Sequence, residues 1–149
     1  MSTTNVCDEG EQMNKETMEG KCLCGAVTIV AKAATDVEVC HCGMCRRWGG
    51  GPLIAIHCGT DVQISGVEKV TQYASSAWAE RGFCKTCGTH LFYRLKPGGE
   101  YIVPAGLFQD QPGLELKEQI FIDKKPAYYD FANSTNTLTE AQVFEKYAP

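Results

Sequence analysis

Nine cysteines in 149 residues, seven of them in tight groups, constrain this chain more than any other feature. The groups are Cys22-x-Cys24, Cys40-x-Cys42-x-x-Cys45 and Cys84-x-x-Cys87. Disulfides between such close neighbours are strained, whereas zinc accepts thiolates at about 2.3 Å and takes them from a tight turn such as the one Gly43 permits. Cys22 and Cys24 would share one face of an extended chain, so both can reach one ion. The spacing therefore predicts a domain built around metal. Two closed structural zinc sites need eight ligands and the groups supply seven, so a histidine or Cys58 completes the set, or one site keeps an open position as catalytic zinc does. Spacing alone leaves the pairing of the groups open.

Composition supports metal over disulfides. No apolar run exceeds strand length, and the N-terminus has neither a basic n-region nor an apolar h-region, so a cytoplasmic chain without signal peptide or transmembrane helix is expected. Thiols there stay reduced, which favours metal ligation. A hydrophobic content of 44% fits one domain with a real core. The formal charge of -4 resides in the first twenty residues, where Asp8, Glu9, Glu11, Glu16 and Glu19 face only Lys15. Elsewhere thirteen acids balance thirteen Lys and Arg, which excludes the basic field that nonspecific nucleic-acid binding requires.

Residues 1–19 are polar and acidic with no apolar period and read as a disordered tail, with Cys7 a free thiol; residues 20–149 read as the folded domain. Short strands are expected over 26–30, 37–39, 53–58, 62–64, 67–73, 78–83, 89–95, 101–103 and 119–122, separated by turn signals such as residues 48–52. Thr139-Glu140-Ala141-Gln142 has the form of a capping box, so a short C-terminal helix should follow. The result is a mainly β domain. Cys58 ends an apolar run and reads as a buried inert thiol. His57 and His90 lie in apolar strands and read as structural, while His41, between two ligands, should point away from their ion if the chain is extended. Glu80 and Glu100 are acid or base candidates with nothing to set them apart from surface carboxylates.

Gly20-Lys21-Cys22-Leu23-Cys24-Gly25, Cys40-His41-Cys42-Gly43-Met44-Cys45-Arg46-Arg47 and Arg81-Gly82-Phe83-Cys84-Lys85-Thr86-Cys87-Gly88-Thr89, in that order, resemble the glutathione-dependent formaldehyde-activating enzyme family, also named for its centromere protein V members. The resemblance runs over about residues 20–130. It implies an Mss4-like, tent-shaped β fold holding two zinc ions per chain. Cys22, Cys24, Cys84 and Cys87 would hold a structural zinc, and Cys40, Cys42 and Cys45 a second zinc with room for substrate. The family's usual ending has a His before an Ile-Phe-Val run and a Trp after Lys-Ala-Pro; this chain has Gln119 before Ile120-Phe121-Ile122, and Tyr128 after Lys125-Pro126-Ala127.

Zinc held by three thiolates carries a formal local charge of about -1 and is a weak Lewis acid, better suited to holding an incoming thiol as thiolate than to making hydroxide. The expected activity is that of a carbon-sulfur lyase, adding glutathione or a similar small thiol to formaldehyde or another small aldehyde to give an S-hydroxymethyl adduct. Arg46 and Arg47 would bind a carboxylate of a peptide-like thiol, or else offset the charge of the sulfurs. The alternative is a non-catalytic binding domain with two structural zinc sites, because structural zinc supplies on the order of 10 kcal/mol to folding. A fourth protein ligand such as His41 or Cys58 would favour that alternative.

Overall fold

The computed structural model describes residues 16–147, so Cys7 and most of the expected tail lie outside the described residues. Strands β1 (Thr17–Lys21), β2 (Thr28–Lys32) and β3 (Asp36–Cys40) precede helix α1 (Gly43–Gly49). There follow β4 (Leu53–Gly59), β5 (Val62–Ser65), β6 (Val70–Tyr73), β7 (Ala79–Cys84), β8 (His90–Leu95), β9 (Tyr101–Pro104), β10 (Glu115–Ile120), β11 (Asn136–Leu138) and helix α2 (Glu140–Tyr147). The strands form two open sheets, a three-stranded one in the order β1-β2-β5 and an eight-stranded one in the order β11-β10-β3-β4-β9-β8-β7-β6. The mainly β, Mss4-like expectation holds.

The core lies between the sheets and follows from strand alternation. In β2, Ile29 and Ala31 point inward while Thr28 and Val30 are half-buried; from the other sheet come Ile56, Leu91, Phe92 and Val103. Phe92 sits opposite Gly82 in the β7–β8 register, and a Cβ on Gly82 would fall 2.4 Å from the Phe92 ring. The glycine is therefore the space into which the ring packs.

Three local expectations change. First, β1 includes Thr17, Met18 and Glu19, which the sequence pattern assigned to the tail. Met18 and Gly20 alternate inward, and five antiparallel pairs with β2 hold the strand, so the ordered domain begins before Gly20. Second, the segment after Cys42 is a two-turn helix rather than a bare turn. The Cys42 sulfur caps it by accepting from the Cys45 backbone N–H at 3.3 Å, and Gly50, at φ 83°, closes it with its N–H on the Arg46 carbonyl at 2.7 Å. Third, the strand expected over 119–122 ends at Ile120. Phe121 turns into the left-handed region at φ 55°, and a 3₁₀ turn (Ile122–Lys124) follows. β11, too short and polar to read from sequence, exists because β10 offers it a parallel partner.

The capping box forms as expected. The Thr139 hydroxyl accepts from the Gln142 N–H at 3.2 Å while the Gln142 side chain accepts from the Thr139 N–H at 2.8 Å. Across β3 and β4, His57 meets Glu38 at 2.5 Å, a diagonal pair beside the Glu38–Ala55 register. The hydrogen bond with Glu38 raises the His57 pKa above the ordinary histidine value.

Gly82→Ala should lower stability by about 1–3 kcal/mol in urea unfolding, since the Phe92 ring must move to admit a methyl group. His57 has its raised pKa in the folded state, so its contribution is complete below the unfolded value of about 6.5 and is lost as pH rises through the folded one. His57→Gln should therefore cost stability at pH 6 and little at pH 9, measured as the difference from wild type at each pH.

Candidate functional site

The first sulfur cluster joins two hairpin tips. Cys22 and Cys24 sit in the connection between β1 and β2, Cys84 ends β7, and Cys87 lies in the turn before β8. Each tip is closed through a glycine in the left-handed region: Gly25 at φ 80° donates to the Cys22 carbonyl, and Gly88 at φ 79° donates to the Cys84 carbonyl. The four sulfurs lie within 4.8 Å of one another, with Cys22–Cys24 at 3.6 Å and Cys24–Cys84 at 3.8 Å. Zinc with four thiolates at about 2.3 Å places its sulfurs roughly 3.8 Å apart, so the cluster fits a tetrahedral ion. The Thr89 hydroxyl lies 3.1 Å from the Cys87 sulfur and accepts from the Leu23 N–H at 3.0 Å, locking one tip to the other. Hydrogen bonds from the Thr89 side chain and backbone bring the Cys87 thiol down to about 5, so it is poised as a thiolate.

The second cluster comes from one stretch of chain. Cys40 ends β3, Cys42 caps α1, and Cys45 lies one turn into the helix, facing inward. Their sulfurs also lie within 4.8 Å of one another. Hydrogen bonds from Cys40 and Cys45, aided by the backbone amides of Cys45 and Met44, push the Cys42 thiol down to about 2. Hydrogen bonding to Cys42 and Cys45, with burial, pushes Cys40 far up. Three sulfurs this close form a donor set that a soft divalent metal matches.

Neither fourth-ligand candidate reaches this cluster. His41 is fully buried, with Nε2 2.8 Å from the Gln119 side-chain oxygen and Nδ1 2.7 Å from the Tyr129 hydroxyl. Gln119 uses its amide nitrogen to donate to the Thr135 hydroxyl at 3.0 Å, so its oxygen accepts from His41 Nε2–H and the Tyr129 hydroxyl donates to Nδ1. Burial lowers the His41 pKa, in keeping with this neutral ring. Cys58 is buried against the Ile56 carbonyl, with its thiol pushed up to about 12 by burial, the inert role expected of it. Among the described residues, no fourth His, Cys, Asp or Glu joins Cys40, Cys42 and Cys45.

Of the two arginines on α1, Arg46 spends its Nε on the His41 carbonyl at 3.0 Å and is half-buried, while Arg47 is exposed. Arg81, which sequence reasoning missed, is 3% exposed and brings Nη2 to 3.7 Å from the Cys45 sulfur. Its guanidinium also lies 4.9 Å from the Tyr93 ring centre and 5.7 Å from that of Trp48. Strand alternation was the available signal, since Arg81 and Cys84 fall three apart on β7 and so serve opposite faces. His90 packs on Trp48 at 4.7 Å between ring centres. Glu80 pairs with Arg94 at 3.1 Å and Glu100 is exposed, so neither stands out as an acid or base.

Residues 17–124 match the family model described as glutathione-dependent formaldehyde-activating enzyme. The chain belongs to that family. It is 40% identical over 129 residues to a Schizosaccharomyces pombe protein named as an uncharacterized lyase, with 85% of this chain and 94% of that protein covered. It also resembles the crystal structure of a Rhodobacter sphaeroides protein, a structural genomics target, with a TM-score of 0.53 and 28% identity over 67% of this chain and all of that one. No helix among the described residues is long and apolar enough to cross a membrane.

The two clusters should fail differently. Cys84→Ser should unfold or severely destabilise the domain, whereas Cys42→Ser should leave it folded with one metal fewer, as circular dichroism and metal analysis would report. Equal unfolding by both substitutions would show that both clusters are structural.

Proposed function

We propose that this chain is a zinc-dependent carbon-sulfur lyase of the formaldehyde-activating type, with Cys22, Cys24, Cys84 and Cys87 holding a structural zinc and Cys40, Cys42 and Cys45 a reactive one. The observation that carries the reading is the three-sulfur cluster without a fourth protein ligand among the described residues, its nearest histidine held at both ring nitrogens by Gln119 and Tyr129. Zinc bound there would lower the pKa of an incoming thiol and hold it as thiolate.

The reaction is the reversible addition of glutathione, or a thiol like it, to formaldehyde or another small aldehyde. Sulfur bonds to the carbonyl carbon, the C=O π pair moves to oxygen, and the thiol proton ends on that oxygen to give an S-hydroxymethyl adduct. Binding both partners at one centre makes the addition effectively intramolecular. Cys45 is buried beside Arg81, whose guanidinium in turn packs against the Trp48 and Tyr93 rings. Arg46 and Arg47, one and two residues beyond Cys45, are the groups assigned to a carboxylate of the thiol substrate. A tris-thiolate centre is a poor source of hydroxide, which turns the reading away from metal-assisted hydrolysis.

Metal analysis of anaerobically purified protein should give two zinc ions per chain, and X-ray absorption should register a gain of one sulfur per chain when glutathione is added. NMR with labelled formaldehyde should then show the adduct forming faster than without protein, and Cys42→Ser should abolish the acceleration. Two zinc ions with an unchanged sulfur shell and no acceleration would sink the reading in favour of a non-catalytic binding domain.

A further inference from the structure

Among the described residues, Arg81 is the buried Lys or Arg, 3% exposed on β7 with its guanidinium against the Tyr93 and Trp48 rings. A guanidinium keeps its charge at any pH a protein survives, and burying it without a counter-charge is strongly unfavourable. Carboxylates do not provide that counter-charge. The adjacent Glu80 pairs with Arg94 at 3.1 Å, and no ion pair with a carboxylate forms at Arg81 among the described residues. Its polar contacts are instead Nε to the Ser75 hydroxyl at 3.3 Å and Nη2 to the Cys45 sulfur at 3.7 Å. The Trp48 and Tyr93 rings stabilise a cation but carry no net charge. Of these contacts, the Cys45 sulfur is the group able to carry a negative charge.

We propose that Arg81 is the positioning residue of the second metal centre, its guanidinium orienting the Cys45 sulfur and offsetting the net negative charge of a divalent metal held by three thiolates. The inference rests on the reading that this cluster holds a metal. A divalent ion with three thiolates has a net charge of about -1, and Arg81 brings the buried group to neutrality. An incoming thiolate then raises the charge only to about -1 instead of -2, so the same residue governs how readily the centre accepts a sulfur substrate. The other arginines do not substitute for it. Arg46 donates its Nε to the His41 carbonyl, and Arg47 is exposed, where water screens it.

Three cobalt-loaded proteins test this: wild type, Arg81→Met, which keeps much of the volume without the charge, and Arg81→Lys, which keeps the charge without the planar fork. The spectrum of cobalt-loaded Cys42→Ser isolates the first cluster and is subtracted. In Arg81→Met the sulfur-to-cobalt charge-transfer band of the second centre should move to lower energy, because the thiolate has lost a hydrogen bond and a nearby positive charge. Release of that metal to a chelator should become at least tenfold faster, with the first centre unchanged. Arg81→Lys should release it at an intermediate rate. A band that stays in place with release within twofold of wild type would overturn the proposal. If Arg81→Met does not fold, Arg81→Lys decides by the same band and rate, and wild-type values there count against the proposal. Failure of the underlying reading is seen separately, as wild-type protein that takes up a single cobalt ion.

Discussion

Four sulfurs gathered at one point join the tips of the two sheets of this domain. Cys22 and Cys24 lie at the tip of the β1–β2 hairpin in the small sheet, and Cys84 and Cys87 at the tip of the β7–β8 hairpin in the large one. The sheets share no strand, so their contact depends on the apolar core between them and on this junction. A zinc held there would contribute on the order of 10 kcal/mol, comparable with the whole net stability of a small domain. Cys22 and Cys84 are buried within the apolar core, the Val27 N–H donates to the Cys22 sulfur, and the Thr89 hydroxyl lies against the Cys87 sulfur.

Strand β7 carries that constraint to the second cluster. Arg81 and Cys84 lie three residues apart on β7 and face opposite sides. The strand that supplies Cys84 to the first cluster therefore also delivers the guanidinium beside Cys45 in the second. Phe92, packed over Gly82 between those two residues, limits how far the strand can shift. Order at the first cluster is thereby passed to the second through one short, well-packed segment.

The other side of the second cluster is fixed by hydrogen bonds. Tyr129, His41, Gln119 and Thr135 form a chain in which each group has a compatible partner, and it ties the C-terminal segment to the residue between Cys40 and Cys42. Gln119 stands where the family's usual ending has a histidine. Its amide accepts on one side and donates on the other, so the departure keeps a bridge across the buried position. A fully paired network of this kind resists rearrangement, since breaking one link strands a buried polar group. It also keeps His41, which lies between two cysteines of the cluster in the sequence, turned away from their sulfurs.

The sequence by itself determined the cysteine clusters, the β character and the C-terminal cap, because each rests on residues only a few positions apart. Cys84-x-x-Cys87 with Gly88 dictates a knuckle, and Thr139-x-x-Gln142 dictates its reciprocal hydrogen bonds, whatever the rest of the chain does. The order of the three cysteine motifs likewise carried the family. What depends on distant chain meeting in space was hidden. Met18 in β1 and the polar β11 became strands only because β2 and β10 were there to pair with them. Arg81 opened the third motif without a role of its own until burial set it 3.7 Å from the Cys45 sulfur, 36 positions away in the chain. Local spacing states which side chains can share an ion; only the packed sheets decide which charges lie close enough, and dry enough, to act on it.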